Sequence, residues 1–172
     1  MRASRILLLI ALLVVVSAAS WLIFSRHRSP VGDHLTVYYT KIDGQSEVAW
    51  DVSMRPQQRD ESAKEHLRNA VLYAATQAVA GPPSTIQAVR FPPGTHVISA
   101  NVTGSTAIVD LSKQIETQTG TFGETGEFKS LVWTVTALPG INAVAVRVEG
   151  QKLETLPGGH LELDQPLQRS DF

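Results

Sequence analysis

The chain has 172 residues, no cysteine and a formal net charge of −1, a length that fits an N-terminal apolar leader and one domain of ordinary size. Without cysteine the chain forms no disulfide and no thiolate metal site, has no cysteine nucleophile, and carries no lipid on an N-terminal cysteine. Four of the fifteen basic residues flank the leader, so the remainder has eleven basic and sixteen acidic residues, a net charge of −5. A mildly acidic domain without a basic cluster in its sequence is not expected to bind nucleic acid, because phosphate neutralisation supplies most of that affinity.

An apolar segment of nineteen residues runs without a charge from Ile6 to Phe24. About twenty such residues cross the hydrocarbon core of a bilayer, and Trp21 lies near the outer end of the segment, where amphipathic rings favour the interface. We therefore predict that residues 1–28 form a signal anchor, which exports the only domain and holds the protein in the cytoplasmic membrane by a single pass. The alternative is a cleavable secretory signal, because Ser17-Ala18-Ala19 offers small residues at a suitable place for cleavage.

The folded region is predicted to begin with two strands. After a polar linker, residues 29–34, the run from Leu35 to Thr40 is rich in β-branched and aromatic residues, which favours a strand. Asp43-Gly44 is a turn signal. Apolar and polar residues then alternate from Glu47 to Arg55, which indicates a half-buried strand that Pro56 ends.

The clearest helix in the sequence runs from Asp60 to Ala80. Ser62 and Glu65 fit a capping box at its start, and apolar residues recur along one face. Gly81-Pro82-Pro83 ends the helix, because glycine supplies a left-handed cap and proline cannot continue the hydrogen-bond ladder. A further extended run follows from Ile86 to Phe91.

A hairpin and a polar loop are predicted next. Val97 to Val102 and Thr106 to Leu111 are extended runs separated by the turn sequence Thr103-Gly104-Ser105. The stretch from Thr117 to Gly126 contains three glycines, but their spacing matches neither a phosphate-binding nor a dinucleotide-binding loop. We therefore predict a flexible connection or a loop that faces a partner.

A second helix and a buried strand complete the pattern. Apolar residues recur at helical spacing from Phe128 to Leu138, and Pro139-Gly140 ends that helix. Ala143 to Val148 is predicted to be a buried strand. A terminal hairpin between Leu153 and Leu163 then precedes a polar tail, residues 166–172.

The predicted order of elements is β-β-α-β-β-α-β. Two amphipathic helices each need an apolar surface, and one apolar sheet face can cover both. We therefore predict an α/β (α+β) domain over residues 35–165, built as a two-layer sandwich in which one small mixed sheet carries both helices on one face, in addition to the membrane helix.

Three parts of the sequence, Leu67 to Pro82, Thr106 to Ser112 and Lys129 to Gly150, together resemble the GerMN domain family of sporulation and spore germination proteins. The resemblance covers residues 35–163. It implies a small α/β domain similar to the ring-building motifs of sporulation secretion complexes, exported, non-catalytic and acting through protein contacts. Its most specific residues lie at a strand end, at the helix-to-strand junction and at the close of the last strand: Asp110, Ser112, Pro139, Gly140 and Gly150.

No recognisable metal or catalytic motif is present in the sequence. A metal needs three or four converging ligands, whereas the histidines are scattered, so we predict surface histidines and no metal or cofactor. A Ser112, His96 and Asp110 triad lacks the Gly-x-Ser-x-Gly elbow. Asp110 and Ser112 are instead predicted to cap a strand end by side-chain to backbone bonds, and the protein is predicted not to be an enzyme. The five histidines are His27, His34, His66, His96 and His160.

Two adjacent tyrosines are the candidate contacts for a partner. Neighbours on a strand point to opposite faces, so either Tyr38 or Tyr39 leaves the helix-covered side and presents an amphipathic ring. We therefore predict a module of the bacterial cell envelope that binds other envelope proteins or copies of itself, and no small-molecule substrate. The alternative is a peptidoglycan hydrolase or a peptidoglycan-binding accessory protein; a hydrolase would depend on one of Asp110, Ser112, His96 or Glu127.

Overall fold

The structure, a computed structural model, describes residues 13–17, 20–21, 29–44, 46–157 and 159–172. Most of the predicted membrane segment lies outside the described residues, including its two ends, Ile6 and Phe24. Residues 13–17 and 20–21 are helical. Within the described ranges, no helix is long and apolar enough to cross a membrane. The anchor therefore stays a prediction.

Strands and helices follow one another along the described chain in the order β-β-α-β-β-α-β, which confirms the predicted sequence of elements. The domain is a small α+β fold. Its strands are β1 His34–Thr40, β2 Glu47–Ser53, β3 Val97–Thr103, β4 Thr106–Leu111 and β5 Ala143–Val148, and its α-helices are α1 Ala63–Ala80 and α2 Gly120–Val135.

The five strands form two sheets, so the prediction of one mixed sheet is wrong. β1 and β2 pair antiparallel, and the second sheet has the order β3-β4-β5, antiparallel and then parallel. The free edge of β1 lies against α2 instead of a strand. The backbone N–H of Tyr38 donates to Thr134 Oγ1 at 2.9 Å, and that of Thr40 donates to Ser130 Oγ at 3.0 Å. Because helix hydroxyls satisfy these donors, the sheet ends at β1.

One contiguous apolar core joins both sheets and both helices. Phe128 of α2 and Val37 of β1 are fully buried in it. The buried side of α1 is rich in alanine, including Ala70, Ala74 and Ala78, and α1 contacts β1, β3 and α2. Small side chains allow such close approach, while the larger side chains supply most of the apolar burial that stabilises the fold.

The ends of α1 are set by its capping residues. Ser62 Oγ accepts the Glu65 N–H at 3.2 Å, and Gly81 follows the last helical residue with a φ of 79°. The side-chain cap satisfies one of the backbone donors that a helix start leaves unpaired. The helix therefore begins at Ala63, three residues after the predicted start, and ends where the sequence predicted.

Most of the glycine-rich stretch predicted as a loop, residues 120–126, belongs to α2, which begins at Gly120. Gly126 packs against Val89, whose side chain would lie 2.8 Å from an added Cβ, and Gly123 packs equally closely against Thr119, at 2.6 Å. Glycine disfavours helix in isolation. Here the close packing that only glycine permits overrides that preference, so the loop prediction is wrong.

The end of α2 and the following turn are close to the prediction. The helix ends at Val135, three residues before the predicted Leu138. Pro139 and Gly140 are exposed in the turn that leads to β5, and Gly140 has a φ of 82°, which favours glycine.

Two other predicted extended elements are irregular. The run from residue 86 to 91 meets the end of β1: Ala88 forms a bridge with Lys41, the residue after β1, and the Val89 N–H donates to Thr40 O at 2.8 Å. The predicted terminal hairpin is joined by the Leu163 N–H donating to Glu154 O at 2.6 Å, and residues 153–157 and 159–163 form no strand. Buried leucines rather than a hydrogen-bond ladder hold this segment to the core.

The predicted polar tail packs against the domain. Leu167 exchanges two backbone hydrogen bonds with Val144 of β5, both at 2.8 Å, and is buried. A 3-10 turn follows at Arg169–Asp171. The packing of Leu167 carries the last residues back toward α2, and this places Arg169 beside that helix.

Candidate interaction surface

Tyr38 and Trp133 meet at the surface where β1 lies beside α2. Their ring centroids are 5.8 Å apart and their planes are inclined at 71°, an edge-to-face arrangement that adds to the stability of an aromatic pair. Both residues are half-buried. Since β1 and α2 are joined by the Thr134 and Ser130 hydroxyls, two ordered elements set the geometry of this pair.

Arg169 covers the aromatic pair from the C-terminal segment. Its guanidinium carbon lies 5.3 Å from the centroid of the Tyr38 ring and 5.1 Å from that of Trp133, within the range of cation–π attraction. Its Nε donates to Thr136 Oγ1 and its Nη2 donates to Trp133 O, both at 2.8 Å. These contacts hold an exposed arginine in one position over the two rings.

Lys129 approaches the same indole. Its Nζ lies 5.4 Å from the centroid of the Trp133 ring and forms an ion pair with Glu47 of β2. The lysine is 7% exposed, so the pair is largely shielded from solvent. We call Tyr38, Lys129, Trp133 and Arg169 the aromatic–cation cluster.

A cleft of about 480 Å³ opens beside the aromatic–cation cluster. Tyr38 and Arg169 line it together with the exposed residues His34 and Pro139 and the buried Leu138. Aromatic residues and arginine are enriched at protein interfaces, where they carry much of the binding energy. The lining is therefore typical of a surface that contacts another protein.

The structure separates the two predicted contact residues. Tyr39 is 3% exposed, its hydroxyl donates to Gln77 O at 3.4 Å, and burial raises the pKa of that hydroxyl. Tyr38 lies on the opposite face of β1, as strand alternation requires. Tyr39 is thus a core residue, and Tyr38 is the member of the pair that the folded domain presents.

The polar residues singled out near the strand ends contact backbone atoms. Asp110 Oδ1 accepts the Gly150 N–H at 2.8 Å and links β4 to the turn after β5. Ser112 Oγ accepts the backbone N–H of His96 at 3.0 Å. The His96 imidazole lies elsewhere, with Nδ1 3.0 Å from Gly94 O. These contacts tie loops to strands and assemble no nucleophile–base pair.

A buried charge network precedes α1, and sequence reasoning missed it. Both oxygens of Glu61 accept from Arg55, at 2.6 and 2.9 Å, and one also accepts from Asn69 at 2.7 Å. The Arg55 guanidinium is the main reason that the pKa of Glu61 lies well below its usual range. His66 Nδ1 lies 3.2 Å from Glu61, and this histidine is 2% exposed, so its prediction as a surface residue is wrong.

A second buried acid, Glu127, lies on α2 with 1% of its surface exposed. Burial raises its pKa to about 7; the Thr119 hydroxyl opposes that change and the charge of Glu124 adds to it. Glu124 itself accepts the backbone N–H groups of His160 and Leu161, at 3.0 and 3.3 Å. The Glu127 carboxyl is enclosed by the fold, so its protonation bears on stability.

The other histidines do not converge. His34, His96 and His160 are exposed in separate segments, and His27 lies outside the described residues. Across the residues that the structure describes, no group of three or more His, Cys, Asp or Glu side chains could hold a metal ion.

Most of the folded domain matches one protein family. The family model described as Germane, sporulation and spore germination, matches residues 36–154. The chain belongs to the Germane family. This match confirms the resemblance to GerMN domains and spans β1 to the segment after β5, so it includes Tyr38 and Trp133 and leaves out Arg169.

Solved structures share the fold of this Germane domain. A protein from Clostridium perfringens described as a lipoprotein has a TM-score of 0.59 at 19% identity, over 84% of this chain and 93% of that one. The tandem GerMN domains of the sporulation protein GerM from Bacillus subtilis have a TM-score of 0.57 at 24% identity, over 80% of this chain and 46% of that one. The first of these domains alone has a TM-score of 0.54 at 23% identity, over 80% of this chain and 99% of that one. No curated protein matches the chain.

Proposed function

We propose that this Germane protein is an extracytoplasmic, membrane-anchored module that binds other proteins of the bacterial cell envelope and catalyses no reaction. Its family is that of sporulation and spore germination. The uncharged apolar segment from Ile6 to Phe24 supports the anchor. The structural neighbour described as a lipoprotein supports a location at a membrane surface.

The aromatic–cation cluster is the observation that carries the binding role. Its rings and its guanidinium are fixed before any partner arrives, because Arg169 is held by Trp133 O and Thr136 Oγ1. A partner therefore meets side chains that have already lost their rotamer freedom, and this lowers the entropic cost of association. The adjoining cleft offers a concave surface for an inserted side chain.

Copies of the same chain would not pair through the edge of β1. α2 occupies that edge through Ser130 and Thr134. β2 lies at the outer edge of its sheet, and Ala49, Trp50 and Asp51 at its centre are exposed. Unpaired strand edges can pair with another chain, so homo-oligomers that form through strand edges are expected to involve β2.

The contacts of the candidate catalytic residues favour the binding role over the peptidoglycan hydrolase. Asp110 and Ser112 are engaged by backbone N–H groups. Glu127 has the pKa of a general acid, but it is enclosed by the fold. General acid catalysis requires the carboxyl to reach the bond that is cleaved.

Site-specific photocrosslinking in native membranes tests the binding role. With a photoreactive phenylalanine analogue in place of Tyr38, we expect one dominant product with another protein of the envelope. We further expect that Arg169→Ala weakens binding of the protein so identified by about tenfold or more, because aromatic and arginine anchors dominate interface energies.

The same analogue in place of Phe122 is the matched control. Phe122 is an exposed aromatic residue on the first turns of α2, far along the helix from Trp133. The same products from both positions, or capture of soluble substrates alone from position 38, would contradict the proposed binding role.

Protease accessibility tests the proposed location. Because the single anchor places the domain outside, we expect added protease to digest residues 29–172 in protoplasts and to leave them intact in inverted membrane vesicles. A cytoplasmic protein followed in the same samples reports membrane integrity. The reverse pattern would place the domain inside the cell and rule out the proposed location.

A further inference from the structure

A polar cleft of about 600 Å³ lies between the start of α1 and the three-stranded sheet. α1 contributes Lys64 and Arg68, which are one helical turn apart, and β5 contributes Arg147. Val146 and Val148 of β5 are buried, so Arg147 points to the opposite face of the sheet, away from the core. We call this cleft, with its three basic residues, the basic cleft.

The basic cleft is positively charged, although the domain as a whole carries a net negative charge. All three basic residues are exposed, and within the described chain none forms an ion pair with an acidic residue. By contrast, Arg55 and Lys129 are paired with Glu61 and Glu47. Like charges one turn apart, such as those of Lys64 and Arg68, destabilise a helix slightly.

The rest of the lining is mixed. Asn101 and Thr103 of β3 offer amide and hydroxyl groups, which can donate and accept hydrogen bonds, and Glu65 adds one negative charge. Polyphosphate has no N–H donor for the acceptor oxygens of Asn101, Thr103 and Glu65. An acidic peptide offers carboxylates to the cations, and its backbone N–H and C=O groups complement the acceptors and donors of the cleft. The forked guanidinium of arginine suits carboxylates in particular.

We infer that the basic cleft binds an acidic, extended segment of a partner protein, with carboxylates paired to Arg68 and Arg147 and backbone amides at Asn101. The inference rests on the proposed function and names one chemical feature of the partner. It concerns a different surface from the aromatic–cation cluster, so each can be tested separately.

Binding of fluorescein-labelled hexaglutamate to the full chain in uncharged detergent tests the inference. We expect saturable binding that weakens with salt, and about a tenfold or greater loss of affinity in the variant Lys64→Gln/Arg68→Gln/Arg147→Gln. The control Lys41→Gln/Arg59→Gln/Lys152→Gln removes the same charge from exposed residues elsewhere. We expect the control to change affinity by no more than about twofold. Thermal unfolding of each variant verifies folding.

The charge-conserving variant Arg68→Lys/Arg147→Lys tests the paired carboxylates. It keeps both positive charges but loses both guanidinium groups, which can each donate two parallel hydrogen bonds to a carboxylate. We therefore expect an intermediate loss of affinity, and full retention of affinity would refute the guanidinium–carboxylate pairing.

Equal losses of affinity in the two triple variants would refute the cleft as the site. Stronger competition by polyphosphate or by anionic lipid vesicles than by unlabelled hexaglutamate would overturn the assignment to a peptide. If hexaglutamate fails to bind while crosslinks from position 38 persist, the inference fails and the proposed function stands.

Discussion

Replacing Ser130 by alanine and Thr134 by valine together is expected to lower the free energy of unfolding by about 3 kcal/mol. The two hydroxyls accept the backbone N–H groups of Thr40 and Tyr38, and Ser130, Thr134 and Thr40 are buried. The variant leaves the buried Thr40 N–H and the part-buried Tyr38 N–H without these partners, and an unpaired buried donor costs about 1–3 kcal/mol. Chemical denaturation of the full chain in uncharged detergent measures the change.

The spacing of the two contacts explains why both hydroxyls are needed. Alternate residues of a strand lie about 6.8 Å apart, and one helical turn of four residues rises about 6 Å. The spacing of the Ser130 and Thr134 hydroxyls along α2 is therefore close to the spacing of the Thr40 and Tyr38 N–H groups along β1, so each hydroxyl reaches one donor. Thr76→Val is the control, since Thr76 is exposed and donates to Leu72 O within α1. A combined loss below about 1 kcal/mol would show that other groups satisfy the β1 donors.

Replacing Glu127 by glutamine is expected to stabilise the domain at pH 8 by about 3 kcal/mol and to change its stability little at pH 4. Burial raises the folded-state pKa from 4.5 to about 7. Between those values the folded state keeps a proton that the unfolded state has released. Wild-type stability therefore falls as pH rises through this window and is lowest above about pH 7.

Denaturation of both proteins at several pH values measures this effect. The glutamine variant lacks the titrating group, so its stability curve should not show the decline between pH 4.5 and 7 that Glu127 causes. Glu154→Gln is the control, because Glu154 is exposed and its replacement should leave the decline in place. An equal gain at pH 4 and pH 8 would show that folding does not raise the pKa of Glu127.

The two variants bear on the same part of the molecule, where α2 packs between β1 and the segment around Gly159. Ser130 and Thr134 hold α2 to β1, and Glu124 holds the segment through the backbone of His160. The aromatic–cation cluster is built on the same helix through Lys129 and Trp133. Its geometry therefore depends on contacts that neither touch a partner nor lie at the surface.

Local pattern alone determined the order of the elements and much of their extent. The period-2 alternation of Glu47 to Arg55 and the capped apolar face of α1 involve residues that are neighbours along the chain, so their consequences are local. The same holds for Tyr38 and Tyr39, which had to lie on opposite faces of a strand. The GerMN motifs around Asp110, Pro139 and Gly150 were likewise sufficient to identify the family.

The tertiary structure decided everything that depends on residues far apart in the sequence. The glycine-containing first turns of α2 pack closely, Gly126 against Val89, and the sheet stops at β1 because helix hydroxyls take its donors. Arg169 reaches Trp133 because Leu167 pairs with β5. The basic cleft unites α1 with β5, although the sequence contains no basic cluster. Such contacts depend on how elements pack in space, and no period or spacing along the chain encodes them.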